Sequence, residues 1–239
     1  MNSTEPSLRV LDEITAACLQ EQRRQLTEWE TYKVLGQWSI PVAPCELVTS
    51  AEGAAYAARS LGGKVAVKIV SPDIPHKTDA GCVRLGLAGE EAVSQAFLDV
   101  MTAAMRHKQN ARIHGVLVQK MVPPGVELIA GGVVDGSFGP VLAAGVGGIF
   151  TEVMKDAAFR LAPITEAEAG AMLTELKGYP LLTGARGRPP VDLAAVRRTL
   201  AQLSRLISAW PALKEIDLNP LIAGPTGVVA VDGLVTLRD

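Results

Sequence analysis

Four short segments of this 239-residue chain carry side chains able to do chemistry. In the first, Lys68 stands among Val65, Ala66, Val67, Ile69 and Val70. A strand of that composition buries its neighbours on both faces. The ammonium therefore needs an anionic partner such as a phosphate, must lose its charge, or must run its stem out to water at a sheet edge. The second segment follows at once: Pro72 and Pro75 stiffen a loop that carries His76, Lys77, Thr78 and Asp79 ahead of Gly81. Neutral imidazole attacks phosphorus and gives a phosphoramidate that can donate again, so His76 is either a phosphoryl carrier or a solvated loop histidine. The third is Gly145, Val146, Gly147 and Gly148, whose amides suit an anion but whose spacing is neither GxxxxGK[ST] nor GxGxxG. In the fourth, Glu215, Asp217 and Asn219 alternate with Ile216 and Leu218 and so share one face of a strand. With Asp232 further on they form a set of hard oxygen donors of the kind magnesium takes, or else a solvated sheet face.

The elements that must position these residues alternate along the chain. An amphipathic helix over 8–26 precedes the main fold, and Thr27 with Glu30 predicts a capping box for a helix ending near Gly36. A strand over 46–49, a helix capped by Ser50 and closed by Gly62, and the Lys68 strand over 64–70 form a β-α-β unit. Strands over 83–87, 115–121, 126–134 and 141–144 follow, with a helix over 90–107 and a hairpin turn at Asp135 and Gly136. Further on come a strand over 159–161, helices over 166–176 and 191–209, and last strands over 215–218 and 228–231. Helices alternate with strands but hairpins intrude, which predicts a mixed α+β architecture rather than a doubly wound one.

Composition closes off several classes. Hydrophobic content of 48% and charged content of 20% predict a folded chain, not a disordered one. A net charge of -2 and an aromatic content of 4% argue against nucleic acid as a partner. No apolar run is long enough for a membrane span, and Cys18, Cys45 and Cys82 form no CxxC pair, which fits a reducing cytoplasm and no zinc site.

Taken in order, the motifs are more specific than any one alone: Lys68 to Asp79; Phe138, Gly139 and Pro140; Gly147, Gly148, Ile149 and Phe150; Glu152 to Asp156; and Glu215, Ile216, Asp217, Leu218, Asn219, Pro220 and Leu221. Together they resemble the ATP-grasp (beta) subunit of ADP-forming acyl-CoA synthetases, the acetate–CoA ligase group related to succinyl-CoA synthetase. The resemblance covers about residues 26–237. It implies an ATP-grasp fold of two α+β lobes with nucleotide between them, expected as an N-terminal helical extension over 1–25 and lobes over 26–115 and 116–239.

The resemblance also implies roles. Lys68, Pro75 and Lys77 match positions that meet nucleotide phosphates; Gln119, Lys120, Met121 and Val122 match the stretch that meets adenine; Glu127 matches the ribose position. Asn219 and Asp232 match magnesium ligands, with Asp217 as a supporting carboxylate. His76 matches a phosphorylated histidine, implying the reversible conversion of acyl-CoA, ADP and phosphate to acid, CoA and ATP. A CoA-binding alpha subunit would supply the sites for CoA and the small carboxylic acid, leaving ATP or ADP and Mg2+ to this chain. Two departures stand out: Cys82 replaces the second loop glycine, and Ala185 replaces an aromatic before Arg186 and Gly187. The competing readings are a non-catalytic ATP-sensing subunit and an ATP-grasp carboxylate-amine ligase, which needs no histidine.

Overall fold

The computed structural model describes residues 8–147, 156–185, 187 and 189–238. The chain begins with α1 (Leu8–Gln20) and α2 (Glu28–Gln37). The capping box is present: the Thr27 hydroxyl accepts from the Glu30 amide while the Glu30 carboxylate accepts from the Thr27 amide. α1 is not a free appendage. Leu11, Ile14 and Cys18 are buried, Trp210 Nε1 donates to Thr15 Oγ1 at 3.1 Å, and the buried Arg23 guanidinium is bound by Glu30 and Glu21. Burial would raise the Glu30 pKa, but the bonds from Arg23 and Thr27 bring it below its ordinary value.

Two compact units follow from the chain's contacts: residues 43–122 form one, and residues up to 42 join those from 123 onward in the other. The smaller holds β1 (Cys45–Val48), α3 (Ala51–Leu61), β2 (Val65–Val70), β3 (Val83–Leu87), α4 (Glu90–His107) and β4 (Gly115–Lys120). Its sheet runs β1-β4-β2-β3 and is antiparallel throughout. Ser50 caps α3 and Gly62, at φ +64°, closes it, as the sequence predicts. Val65, Val67, Ile69, Val116 and Val118 point toward α3 and α4 and share one apolar core with Ala54, Phe97 and Val100. By the two-residue period, Ala66, Lys68, Leu117 and Gln119 lie on the opposite face.

The expected boundary at 115/116 is corrected by this sheet. It falls inside β4, which hydrogen-bonds to β1 on one side and β2 on the other, so a cut there would part a strand from both partners. The boundary at 25/26 also moves, because α1 and α2 belong with the larger unit.

That unit continues with β5 (Val126–Asp135), β6 (Gly139–Val146), β7 (Ala157–Leu161), α5 (Glu166–Thr174), the helical turn α6 (Tyr179–Leu182), α7 (Leu193–Ala209), β8 (Leu213–Gly224), β9 (Gly227–Ala230) and β10 (Leu234–Leu237). Among the described residues its sheet runs β10-β8-β5-β6-β7, with β9 paired to β8. Gly132 in β5 faces α7, where a Cβ would collide with Ile207; its cross-strand partners Ile216 and Leu142 are buried on that side. Gly131 and its partner Asp217, one step along, therefore face the other way. β8 is much longer than the sequence predicts, and β10 is an added strand. β8 continues past Asn219 by pairing with β5 across a register shift between Leu128 and Ala130 and with β9 on its other side.

Candidate nucleotide and phosphoryl-transfer site

In the smaller unit, β2 delivers Lys68 and the loop beyond it delivers His76. Lys68 is only 7% exposed, so it does not reach water at a sheet edge. Gln119 lies on the same face of the sheet, opposite Ala66 in the register, and is buried as well. Lys120 ends β4 exposed, followed by exposed Met121 and half-buried Val122.

The loop from Ser71 to Cys82 has a definite shape. The Ala80 amide donates to the His76 carbonyl (3.1 Å), Gly81 to Thr78 (3.0 Å) and Cys82 to Lys77 (2.8 Å). The last two bonds make a Schellman closure, with Gly81 left-handed at φ +67°, as that motif requires. Cys82 is fully buried in the core of α3, α4 and the sheet, and burial pushes its thiol pKa up. The departure from glycine at position 82 thus adds an apolar anchor where the chain re-enters the sheet. Pro75, His76, Thr78 and Asp79 are exposed, and Lys77 is half-buried.

Upstream, the loop is held by a contact that sequence reasoning missed. The Asp73 carboxylate accepts from the backbone N–H of Arg112 (2.7 Å), its Nε (3.1 Å) and its Nη2 (3.0 Å). Ser71 Oγ donates to the Arg112 carbonyl at 2.6 Å and accepts from the Asp73 amide at 3.1 Å. The Arg112 guanidinium, and then its amide, hold the Asp73 carboxyl well below the usual carboxylate range. Asp73 and Arg112 lie 39 residues apart, so no local periodicity could have paired them.

In the larger unit, Glu127 is exposed on β5 opposite Ile222. Gly147 donates to its carbonyl at 2.7 Å, and a Cβ on Gly147 would press on the Glu127 backbone at 3.2 Å. The Gly147 amide is thereby committed, while Gly145 and Val146 lie within β6, so these three residues form no free anion cradle. Gly148, Ile149, Phe150 and Glu152 lie outside the described residues, as does Arg186. Asp156, at the edge of that motif, is buried and accepts from the amides of Lys177 (2.8 Å) and Gly178 (2.7 Å), at the start of α6.

Asp217 and Asn219 stand on the same side of β8, half-buried and exposed respectively, and Glu215 joins them. Asp232 is half-buried between β9 and β10, accepting from the Gly233 amide at 2.9 Å. Burial raises the Asp217 pKa, and the charges of Glu215 and Asp232 raise it further. This crowding of oxygen donors fits a divalent cation, which would relieve the repulsion. Among the described residues no three Asp, Glu, His or Cys side chains converge closely enough to hold a metal by themselves. A cation here would have to draw further oxygens from neutral side chains, water or a bound ligand, as magnesium ordinarily does.

Known proteins resemble this chain over nearly its whole length. A family model described as an ATP-grasp domain matches residues 17–237. The beta subunit of acetate–CoA ligase (ADP-forming) I of Pyrococcus furiosus is 39% identical over 216 residues, covering 90% of this chain and 93% of that protein. Among solved structures, the dinucleotide-forming acetyl-coenzyme A synthetase 1 of Ca. Korarchaeum cryptofilum, in complex with coenzyme A, Ca-AMPCP and HgCl+, superposes with a TM-score of 0.91 at 40% identity, covering 97% of this chain and 100% of that one. Another structure of that synthetase, with coenzyme A, acetyl-coenzyme A and a phosphorylated phosphohistidine segment, gives 0.88 at 38% identity, covering 95% and 100%. The chain belongs to the ATP-grasp family and, within it, to the beta subunits of ADP-forming acid–CoA ligases. Among the described residues no helix is long and apolar enough to cross a membrane.

Proposed function

We propose that this chain relays a phosphoryl group through His76 between a CoA-binding alpha subunit and a nucleotide, in the reversible conversion of acyl-CoA, ADP and phosphate to acid, CoA and ATP. One observation carries this reading: an exposed imidazole is presented on a closed turn that leaves the strand bearing buried Lys68. A merely solvated histidine needs no such turn. Relatives named as beta subunits imply a second subunit, and the phosphohistidine segment in the Korarchaeum synthetase supports the chemistry.

In the ATP-forming direction, a nitrogen of neutral His76 attacks the phosphorus carried by the partner's phosphohistidine. The new N–P bond forms as the old one breaks, and the donor imidazole leaves neutral after a proton shift. The terminal phosphate oxygen of ADP then attacks, the His76 N–P bond breaks and ATP forms. Lys68, Pro75 and Lys77 contact the phosphates, and the ammonium of Lys68 offsets charge that develops on the transferring group. Gln119, Lys120, Met121 and Val122 receive the adenine, and Glu127 the ribose. Asn219 and Asp232, supported by Asp217, would hold Mg2+, which supplies further charge neutralisation when bound. The acid and CoA bind on the partner. Three cysteines that form no disulfide suit a cytoplasmic enzyme.

The test is incubation of the chain, with and without its partner, with magnesium and γ-labelled ATP, followed by peptide mapping of acid-labile label. Label on His76 that ADP removes, and that His76→Ala lacks, supports the relay. Nucleotide binding without label in the complete enzyme points instead to a sensing subunit.

A further inference from the structure

The loop that carries His76 is anchored on both sides of the histidine. On its upstream side, Ile74 is 3% exposed and packs into the core of α3, α4 and the sheet. On its downstream side, Cys82 is fully buried in the same core, and its carbonyl accepts from the Ile69 amide at 3.0 Å. From His76 to Cys82 the backbone is closed by the three turn bonds described above. Only Pro75 lies between buried Ile74 and the start of that turn, and its ring fixes φ.

The stem before Ile74 is pinned chiefly by Arg112, through its amide, its guanidinium fork and its carbonyl. The fork meets both Asp73 oxygens, the amide adds a third N–H, and the carbonyl takes the Ser71 hydroxyl. Lys108 Nζ, at 3.6 Å from Asp73 Oδ1, adds charge without a comparable fork. The neighbouring His114 amide continues the seam by donating to the Val70 carbonyl at 2.9 Å. A seam this complete exceeds what a mere connection between β2 and β3 requires.

We propose that Arg112 is a positioning residue whose grip on Asp73 makes His76 a stationary relay, so that phosphoryl donor and acceptor must each come to it. This rests on the phosphoryl-relay reading of His76. In-line transfer demands placement to within about 1 Å, and a turn pinned at both ends supplies it in advance. The planar fork is essential, because lysine offers a point charge that cannot engage both carboxylate oxygens.

The test uses the assembled enzyme with its partner subunit. His76 is labelled with γ-labelled ATP, excess nucleotide is removed, and discharge to added ADP is followed in a single turnover for wild type, Arg112→Ala, Arg112→Lys and Asp73→Asn. Nucleotide affinity and amide hydrogen exchange across 74–82 are measured in parallel. Discharge is expected to slow by about 10- to 100-fold in Arg112→Ala and Asp73→Asn. Nucleotide affinity should stay within about three-fold, exchange across 74–82 should quicken, and Arg112→Lys should recover only part of the rate. Should Arg112→Ala fail to fold, Arg112→Lys and Asp73→Asn decide the matter. Discharge at the wild-type rate with quickened exchange overturns the inference while leaving the relay intact. An equal loss of affinity and rate overturns it by showing a general structural defect. Wild-type enzyme that takes no label on His76 overturns the relay reading and this inference together.

Discussion

The histidine turn of the smaller unit and the acidic strand of the larger one each hold a carboxylate displaced from its ordinary pKa, in opposite directions. Asp73 receives three N–H donors from Arg112 and is held ionised. Asp217 is half-buried near Glu215 and Asp232, and is pushed toward its protonated form. The first carboxylate is satisfied within the fold, so its work is structural. The second sits in a field of like charge that the described protein groups do not cancel, the condition that favours a cation. The one region offsets its carboxylate with its own groups; the other crowds like charges together.

The largest effect expected is on turnover. His76→Ala should lower the rate of acyl-CoA synthesis by about 10³-fold or more, since the group that accepts phosphorus is gone. Nucleotide affinity, read by titration calorimetry, should be nearly unchanged. Lys68→Met should weaken nucleotide binding by about 10- to 100-fold, the scale of a charge-assisted contact in a buried site.

The two carboxylates then give paired predictions in melting experiments with chelator present. Asp73→Asn should cost about 1 kcal/mol, or about 2–4 °C, given that Arg112 is partly exposed. A depressed folded pKa contributes stability above the unfolded value near 3.9, so this loss should be constant from about pH 5 upward and shrink only in strong acid. Asp217→Asn should show the reverse sign. A raised folded pKa costs stability once pH climbs above the unfolded value, so the variant should melt higher than wild type at pH 7 and equal to it below about pH 4. Added magnesium and nucleotide should raise the wild-type melting temperature and raise that of Asp217→Asn less. If both variants move in the same direction in chelator, the contrast between the regions fails.

Local signals carried the sequence reading a long way. The Thr27–Glu30 box, the Ser50 cap with Gly62, the helix over 90–107 and the Lys68 strand all rest on neighbours within a few residues, and all are present. What sequence could not show depends on distant partners. β4 belongs with β1 and β2 because of cross-strand bonds, and no composition shift at 115 or 122 announces them. β8 continues past Asn219 by pairing with β5 across a shift in register and with β9 on its other side. α1 docks through Trp210, 195 residues from its partner Thr15. For the candidate site, residue type and alternation single out Lys68, His76, Asp217, Asn219 and Asp232 as the residues to propose. They do not single out Arg112: an arginine in a connection says nothing of the aspartate it will grip.

The measurement that tests the central claim most directly is rapid-quench analysis of the complete enzyme turning over labelled ATP, with label on the His76 peptide followed beside acyl-CoA formation. The account predicts that label on His76 rises before acyl-CoA appears, reaches a steady level and drains into ATP when ADP is added, at a rate no slower than turnover. Label that accumulates more slowly than product, or product formed at the full rate by His76→Ala, would contradict it.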